Sequence, residues 1–178
     1  MIVLLSGEIA VGKTTIAADL ATELGGIHLR VRQALAQIVG VPLDDREALQ
    51  REGAELDART RGRWLRNFVE ETIAPCEAAV IDSLRTRRQT IPLLGLPDSH
   101  LIHLTADLET RRRRYREAAG TDALKARVPF ERATAHETER LADALRDLAE
   151  LVVPTEGLSV REVCDVILDH LGITRGDA

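Results

Sequence analysis

Apolar residues in this chain fall into short unbroken runs, separated by longer segments in which apolar positions recur with helical spacing. The apolar runs predict strands at 2–6, 27–29, 78–82, 100–106 and 151–154. Helices are predicted over 13–24, 32–39, 44–58, 60–75, 107–118, 129–148 and 159–171, with a helix or turn at 84–95. Short apolar strands that alternate with helices are typical of a parallel sheet covered on both faces. The pattern therefore predicts a three-layer α/β/α fold.

Length and composition indicate one globular domain with an aliphatic core. The chain has 178 residues, of which 44% are hydrophobic and only 2% aromatic, and its formal net charge is −5. This charge balance does not favour nucleic acid or an anionic membrane as a partner. No apolar run reaches the roughly 18 residues that span a bilayer, and the apolar start lacks the pattern of a signal peptide. We therefore expect a cytoplasmic monomer or homodimer that acts on a small molecule.

The segment "LLSGEIAVGKTT" contains the pattern G-x-x-x-x-G-K-[ST], the Walker A motif of phosphate-binding loops. Its glycines, Gly7 and Gly12, lie between an apolar run and an alanine-rich helical segment, which is the context that the motif requires. Lys13 is predicted to contact the β and γ phosphates of ATP, and the Thr14 hydroxyl to bind Mg²⁺. The predicted ATP-binding loop comprises Gly7, Glu8, Ile9, Ala10, Val11, Gly12, Lys13, Thr14 and Thr15.

Later segments follow this loop in a definite order. The stretch "IDSLRT" (81–86) has an aspartate at the end of a predicted strand and then an arginine, "HLTADLETRRRR" joins a strand to an arginine-rich helix, and "VVPTEGLSVREVCDVIL" joins the last strand to the last helix. The segment "REALQREGAELDARTRGRWL" (46–65) contains an L-Q-x-x-G arrangement. In this order the motifs resemble those of the nucleoside monophosphate kinase family, including its deoxynucleotide and dephospho-coenzyme A kinase-like relatives. The "IDSLRT" stretch departs from adenylate kinases, which usually have one more residue between the aspartate and the arginine.

The resemblance implies an architecture and a set of nucleotide contacts. It implies a five-stranded parallel sheet of order 2-3-1-4-5 in a single P-loop kinase domain over 1–178, with an acceptor-binding insertion at about 30–75 and a lid at about 115–130. The turn after the last strand, with Thr155 and Gly157, would contact adenine. In the L-Q-x-x-G arrangement, Gln50 would lie on the acceptor side.

Arginines near the predicted strand ends are candidates for phosphate contacts, because phosphoryl transfer depends on alignment and charge neutralisation. Arg85 follows the third strand and is a candidate for transfer or acceptor binding, with a surface salt bridge as the alternative. The resemblance implies that Arg32 binds the acceptor phosphate, and Arg30 is the nearest rival for that role.

The arginine run at 111–116 surrounds a helix, so its members cannot all face one ligand. Arg111 and Arg114 share one face, Arg112 and Arg116 another, and similarity to the family favours the first pair. Arg127 is a third candidate for a lid residue. The alternatives for the cluster are a charged surface and contact with nucleic acid, and the lack of interleaved aromatic residues counts against the latter.

Asp82, at the end of a predicted strand, fits a Walker B-like role in which it holds Mg²⁺ directly or through water. It could instead act as a general base, which is needed when the acceptor is a hydroxyl but not when it is an anionic phosphate. A structural or helix-capping aspartate is the third interpretation. His28 and His103 lie in apolar strands, and we expect them to be packed rather than catalytic.

Three functions are compatible with these motifs. The leading hypothesis is a kinase that uses ATP and Mg²⁺ to phosphorylate a (deoxy)nucleoside monophosphate. The second is a P-loop kinase for a hydroxyl-bearing metabolite such as dephospho-coenzyme A or a sugar acid. The third is a nucleotide-sensing module that binds ATP without transfer, since a phosphate loop establishes binding but not turnover.

Overall fold

Five short strands form one parallel sheet in the computed structural model, which describes residues 1–74, 77–120, 128–135 and 141–173. The strands are β1 (Ile2–Gly7), β2 (Ile27–Arg30), β3 (Ala79–Asp82), β4 (Ser99–Thr105) and β5 (Leu151–Pro154). The helices are α1 (Lys13–Glu23), α2 (Val31–Val39), α3 (Arg46–Thr60), α4 (Arg63–Thr72), α5 (Arg87–Leu94), α6 (Leu108–Ala119), α7 (Phe130–Thr134) and α8 (Val160–His170).

The strand order is β2-β3-β1-β4-β5, so the predicted order 2-3-1-4-5 is confirmed. In the centre, Leu4 of β1 aligns with Ile81 of β3 on one side and with Leu101 of β4 on the other. Because all pairs are parallel, the carboxyl ends of the strands meet at one edge, where ligands bind in open α/β sheets. The phosphate loop leaves the central strand at this edge.

Each face of the sheet carries its own hydrophobic core. On one face, strand residues such as Val3 and Leu5 pack with the buried sides of α1 and α8. On the other face, Leu4 and Ile81 lie in a cluster that includes side chains from α2, α3, α4 and α5. The first core supports the helix that follows the phosphate loop, and the second supports the segment predicted to bind the acceptor.

Two helices differ from the sequence prediction. The helix predicted over 60–75 begins at Arg63, because Arg61 and Gly62 have left-handed backbone conformations with φ of 55° and 77°. One helix is predicted over 129–148. The described residues of this range form α7, a helical segment at 141–143 and a 3-10 turn at Arg146–Leu148. None of the described helices is both long and apolar enough to cross a membrane.

Candidate active site

The phosphate loop adopts conformations that its glycines make possible. Gly7 has φ of 134°, and a Cβ at this position would lie 2.2 Å from the carbonyl oxygen of Leu104 in β4. Gly12, with φ of 98°, is the N-cap residue of α1. Between them Ala10 also has a positive φ, of 65°, which is uncommon for a residue with a side chain. The motif glycines are therefore required by close backbone approach and by the turn into α1.

Lys13 lies inside this loop, and its ammonium group is bound to the loop's own backbone. The residue is 7% exposed, and Nζ donates hydrogen bonds of 2.7 Å to Gly7 O and 2.6 Å to Glu8 O. The positive charge of Lys13 is thus held against the backbone of the phosphate loop. Phosphate oxygens could replace these two carbonyl groups as acceptors.

Thr14 and Asp82 come together at the ends of neighbouring elements. Thr14 Oγ1 donates a hydrogen bond of 2.8 Å to Asp82 Oδ2, and the Asp82 side chain is fully buried at the end of β3. The second carboxylate oxygen, Oδ1, accepts a 2.8 Å hydrogen bond from Ser83 Oγ. Ser83 has φ of 72°, so the backbone turns sharply directly after the aspartate. Left-handed backbone at a non-glycine residue is a form of strain that occurs often at functional sites.

His28 is a neighbour of this carboxylate that the sequence analysis assigned only to packing. Its Nε2 lies 3.5 Å from Asp82 Oδ2, and this buried nitrogen has no hydrogen-bond partner in the described part of the chain. The pairing of β2 with β3 explains the proximity, since His28 aligns with Val80, two residues before Asp82. A histidine in a strand beside a strand-end aspartate is the sequence signal that could have indicated this contact.

The side-chain oxygens of Thr14 and Asp82 are also suitable ligands for Mg²⁺. Hydroxyl and carboxylate oxygens are the donors that Mg²⁺ prefers, and with a nucleotide it commonly uses one or two protein ligands together with phosphates and water. No cluster of three or more His, Cys, Asp or Glu side chains suited to a metal is found among the described residues. Such a cluster is not needed for a metal that is bound together with a nucleotide.

Arg111, in the first turn of α6, reaches back to the phosphate loop. Its Nη1 lies 2.5 Å from Glu8 Oε1, and the arginine is 8% exposed. Its Nε is also buried and has no hydrogen-bond partner among the residues that the structure describes. The sequence predicts Arg111 as a lid residue, but it does not predict the contact with the side chain of Glu8.

Arg114 connects the same helix to a different part of the loop. Its Nη1 donates to Val11 O at 3.2 Å and to Thr155 Oγ1 at 2.8 Å, and its Nη2 donates to Thr155 O at 2.8 Å. The Thr155 hydroxyl in turn lies 3.0 Å from both Val11 O and Thr105 O. Arg114 and Thr155 therefore hold the phosphate loop, α6 and the end of β5 together.

The other predicted ATP-binding residues differ in exposure. Gly157 has φ of 76° in the turn after β5, and a Cβ there would meet no atom of the described residues within 4 Å. Ile9 is half-buried, and Thr15 is exposed on the first turn of α1.

The predicted acceptor residues lie on three different segments. Arg32 is exposed on α2, and its guanidinium donates to the carbonyl oxygen of Leu43. Gln50 is exposed on α3. Arg85 is half-buried, three positions after Asp82. The lid candidate Arg127 lies outside the described residues.

A polar cluster that the sequence analysis did not identify joins the helices on this side. Asp57 of α3 accepts hydrogen bonds from Trp64 Nε1 at 2.5 Å and from Gln89 Nε2 at 2.9 Å. Trp64 belongs to α4 and Gln89 to α5, so one carboxylate connects three helices. This arrangement stabilises the packing of the segment predicted to bind the acceptor.

His103 is buried in the centre of the sheet, one strand from the phosphate loop. Its Nδ1 lies 2.9 Å from Ser6 Oγ, and its buried Nε2 has no hydrogen-bond partner within the described ranges. Burial lowers the pKa of His103 to about 4, against the opposing effect of Asp143 and with smaller contributions from Lys13 and Arg146. The imidazole is therefore neutral at physiological pH.

Comparisons with known proteins agree with this architecture. The AAA_18 family model, described as an AAA domain, matches residues 3–142. No curated protein gives a significant match to the sequence.

Solved structures with the same fold include two shikimate kinases and a gluconokinase. Shikimate kinase from Acinetobacter baumannii, in complex with shikimate, is 17% identical with a TM-score of 0.67, over 96% of this chain and 92% of that one. Shikimate kinase from Aquifex aeolicus is 16% identical with a TM-score of 0.65, over 97% and 96%. A gluconokinase from Sinorhizobium meliloti is 15% identical with a TM-score of 0.53, over 96% and 90%. The sheet and helices thus have the fold of P-loop kinases, whereas the nucleoside monophosphate kinase subfamily is not confirmed.

Proposed function

The chain belongs to the AAA_18 family of AAA domains, and we propose that it is an ATP- and Mg²⁺-dependent phosphotransferase that acts on a (deoxy)nucleoside monophosphate. The observation that carries the proposal is the contact of 2.8 Å between Thr14 Oγ1 and Asp82 Oδ2, beside the buried ammonium of Lys13. These residues form the donor half of a phosphoryl-transfer site.

Each of these residues has a role that follows from its position. Lys13 and the N–H groups of the loop bind the phosphates of ATP, and the N-terminal end of α1 adds favourable electrostatics. Thr14 and Asp82 would hold Mg²⁺, which when bound neutralises phosphate charge during transfer. Arg85 is the proposed contact to the acceptor or to the transferred group, because it follows the strand that ends in Asp82.

The surroundings of Asp82 favour a phosphate acceptor. Both of its carboxylate oxygens accept hydrogen bonds from hydroxyl groups, one from Thr14 and one from Ser83. A carboxylate engaged in this way is better suited to holding a metal and a hydroxyl than to removing a proton. An anionic phosphate needs no base, and the arginines on the acceptor side, Arg32 and Arg85, match its charge.

A hydroxyl-bearing metabolite is the second candidate acceptor. The support for it is that the structural neighbours include proteins named shikimate kinase and gluconokinase. In that case Asp82 would act as the base for the attacking hydroxyl, with His28 Nε2 3.5 Å away from its carboxylate.

The test is ADP release by the purified chain with ATP, Mg²⁺ and a panel of nucleoside and deoxynucleoside monophosphates, shikimate and gluconate. We expect a monophosphate to give the largest stimulation, with the diphosphate product identified by mass spectrometry. Stimulation by hydroxyl acceptors alone would favour the second candidate, and Asp82→Asn should then abolish turnover while ATP affinity stays measurable. ATP binding with no acceptor stimulation at all would leave the sensing module as the function.

A further inference from the structure

The phosphate loop contains an acidic side chain, Glu8, directly after its first glycine. A carboxylate in a loop that binds polyphosphate is unfavourable, because the like charges repel one another strongly in a site partly shielded from water. Glu8 is partly exposed, with 28% of its side chain accessible. The loop needs a means of cancelling this charge before a nucleotide can bind tightly.

Arg111 provides a matched positive charge. Its Nη1 lies 2.5 Å from Glu8 Oε1, and its own side chain is only 9% exposed. Among the described residues Arg111 Nε has no hydrogen-bond partner, so the described contact that orients the guanidinium is the ion pair of Nη1 with the Glu8 carboxylate. Breaking such a pair from one side leaves the other charge buried or close to phosphate without compensation.

Glu8 also contributes to the placement of the second cation of the site. Lys13 Nζ donates to Glu8 O at 2.6 Å. One residue of the loop therefore binds both Lys13, through its backbone, and Arg111, through its side chain. These contacts link the first turn of α6 to the conformation of the phosphate loop.

From this arrangement we propose that Arg111 is a positioning residue that neutralises Glu8, so that ATP affinity depends on the pair rather than on Arg111 alone. The inference rests on the proposed function insofar as the ligand is ATP. The proposal predicts that the effects of substitutions at Glu8 and Arg111 on ATP affinity are not additive. Loss of Arg111 leaves the Glu8 carboxylate to repel the phosphates, whereas loss of both side chains removes the repulsion and the charge that compensates it.

The experiment is a double-mutant cycle on MgATP affinity, measured by isothermal titration calorimetry on the full chain. We expect Arg111→Met to weaken ATP binding about 30-fold or more, and Glu8→Gln to tighten it by about threefold. The double variant Glu8→Gln/Arg111→Met should recover affinity to within about fivefold of the wild type. Arg113→Met, an exposed neighbour on the same helix, is the matched control for loss of an arginine.

A double variant that binds ATP as weakly as Arg111→Met would overturn the proposal, because Arg111 would then contact the phosphates directly. If the single variant Arg111→Met does not fold, the ATP affinity of Glu8→Gln/Arg111→Met is compared with that of Glu8→Gln/Arg113→Met. A much lower affinity of the first would also overturn the proposal. If the wild type binds ATP and transfers phosphate but the effects of the two substitutions on ATP affinity are additive, this inference alone is contradicted. A wild type that does not bind ATP contradicts the proposed function as well.

Discussion

Thr14 Oγ1 donates a hydrogen bond of 2.8 Å to Asp82 Oδ2, although 68 positions separate the two residues in sequence. The contact exists because α1 follows the phosphate loop at the end of β1, and β3 lies beside β1 in the sheet. It joins the end of the phosphate loop to the end of a neighbouring strand at one point.

Replacing Thr14 by Val should therefore lower kcat by about 100-fold and raise the Mg²⁺ concentration needed for half-maximal activity. The variant keeps the shape of the side chain but removes the hydroxyl that bonds to Asp82. Thr14→Ser, which keeps the hydroxyl, is the control and should retain most of the activity. A Thr14→Val enzyme with an unchanged Mg²⁺ dependence would argue against this metal site.

Replacing Lys13 by Ala should reduce the transfer rate far more than the stability. The lost ammonium stabilises developing phosphate charge, so we expect kcat to fall by about 100- to 1000-fold. Its two hydrogen bonds to backbone carbonyls contribute only about 1–2 kcal/mol to the free energy of unfolding. Steady-state kinetics and urea unfolding of the same preparation measure both effects, and an unchanged rate would exclude the phosphate role.

Arg114 should contribute mainly to stability, because its described contacts are with protein groups at Val11 and Thr155. We expect Arg114→Met to lower the free energy of unfolding by about 2–3 kcal/mol. Arg116→Met, on the same helix but exposed, serves as the control and should change it little. A large loss of kcat with unchanged stability would instead support the predicted transfer role of Arg114.

Gly62→Ala should destabilise the chain by several kcal/mol, because a Cβ at this position would lie 2.1 Å from the carbonyl oxygen of Arg88. The matched control is Gly40→Ala, which has a similar φ of 68° but no atom within 4 Å of the added Cβ. The control isolates the cost of the left-handed backbone, about 1 kcal/mol. Equal unfolding midpoints for the two variants would contradict the close approach of α4 to α5.

His103 should make the protein sensitive to mild acid. Its folded-state pKa of about 4 lies below the ordinary value of 6.5, so the unfolded chain binds more protons between these values. Stability is therefore complete above pH 6.5 and is lost as the pH falls towards 4, by an amount on the order of 3 kcal/mol.

The measurement for His103 is urea unfolding at a series of pH values. His103→Gln should show a flatter dependence between pH 6.5 and 4 than the wild type. His100→Gln is the control: despite partial burial, contacts with Asp98 and Glu150 raise the pKa of His100, so its removal should leave the acid-side loss in place. If the free energy of unfolding depends on pH identically in His103→Gln and in the wild type, the acid-side loss of stability does not come from His103.

Local patterns in the sequence predicted the strands and the phosphate loop, whereas the strand order 2-3-1-4-5 was implied by the resemblance to the kinase family. Apolar runs locate the strands, and the motif around Gly7, Gly12 and Lys13 defines a loop whose geometry is set by backbone conformation. The assignment of Thr14 and Asp82 to one Mg²⁺ site rested on the motif for Thr14 and, for Asp82, on its place at the end of a strand, at the edge of a parallel sheet where ligands bind.

Contacts between side chains from distant elements could not be predicted in the same way. The approach of Arg111 to Glu8, and of His28 to Asp82, depends on the angle at which α6 and β2 pack. Helical spacing places Arg111 and Arg114 on one face of a helix, but it does not reveal that the two guanidinium groups contact different residues of the phosphate loop, Glu8 and Val11. The joining of α3, α4 and α5 by Asp57 likewise has no local signature.

The two cores on opposite faces of the sheet have a consequence for how such a chain can diverge. The side chains packed against α1 and α8 form one cluster, and those from α2 to α5 form another. Substitutions that reshape the second cluster can therefore accumulate while the helix behind the phosphate loop keeps its packing. Under the proposed function, selection can change which acceptor is bound while the packing behind the phosphate loop stays unchanged, so the two sides of the sheet can evolve at different rates.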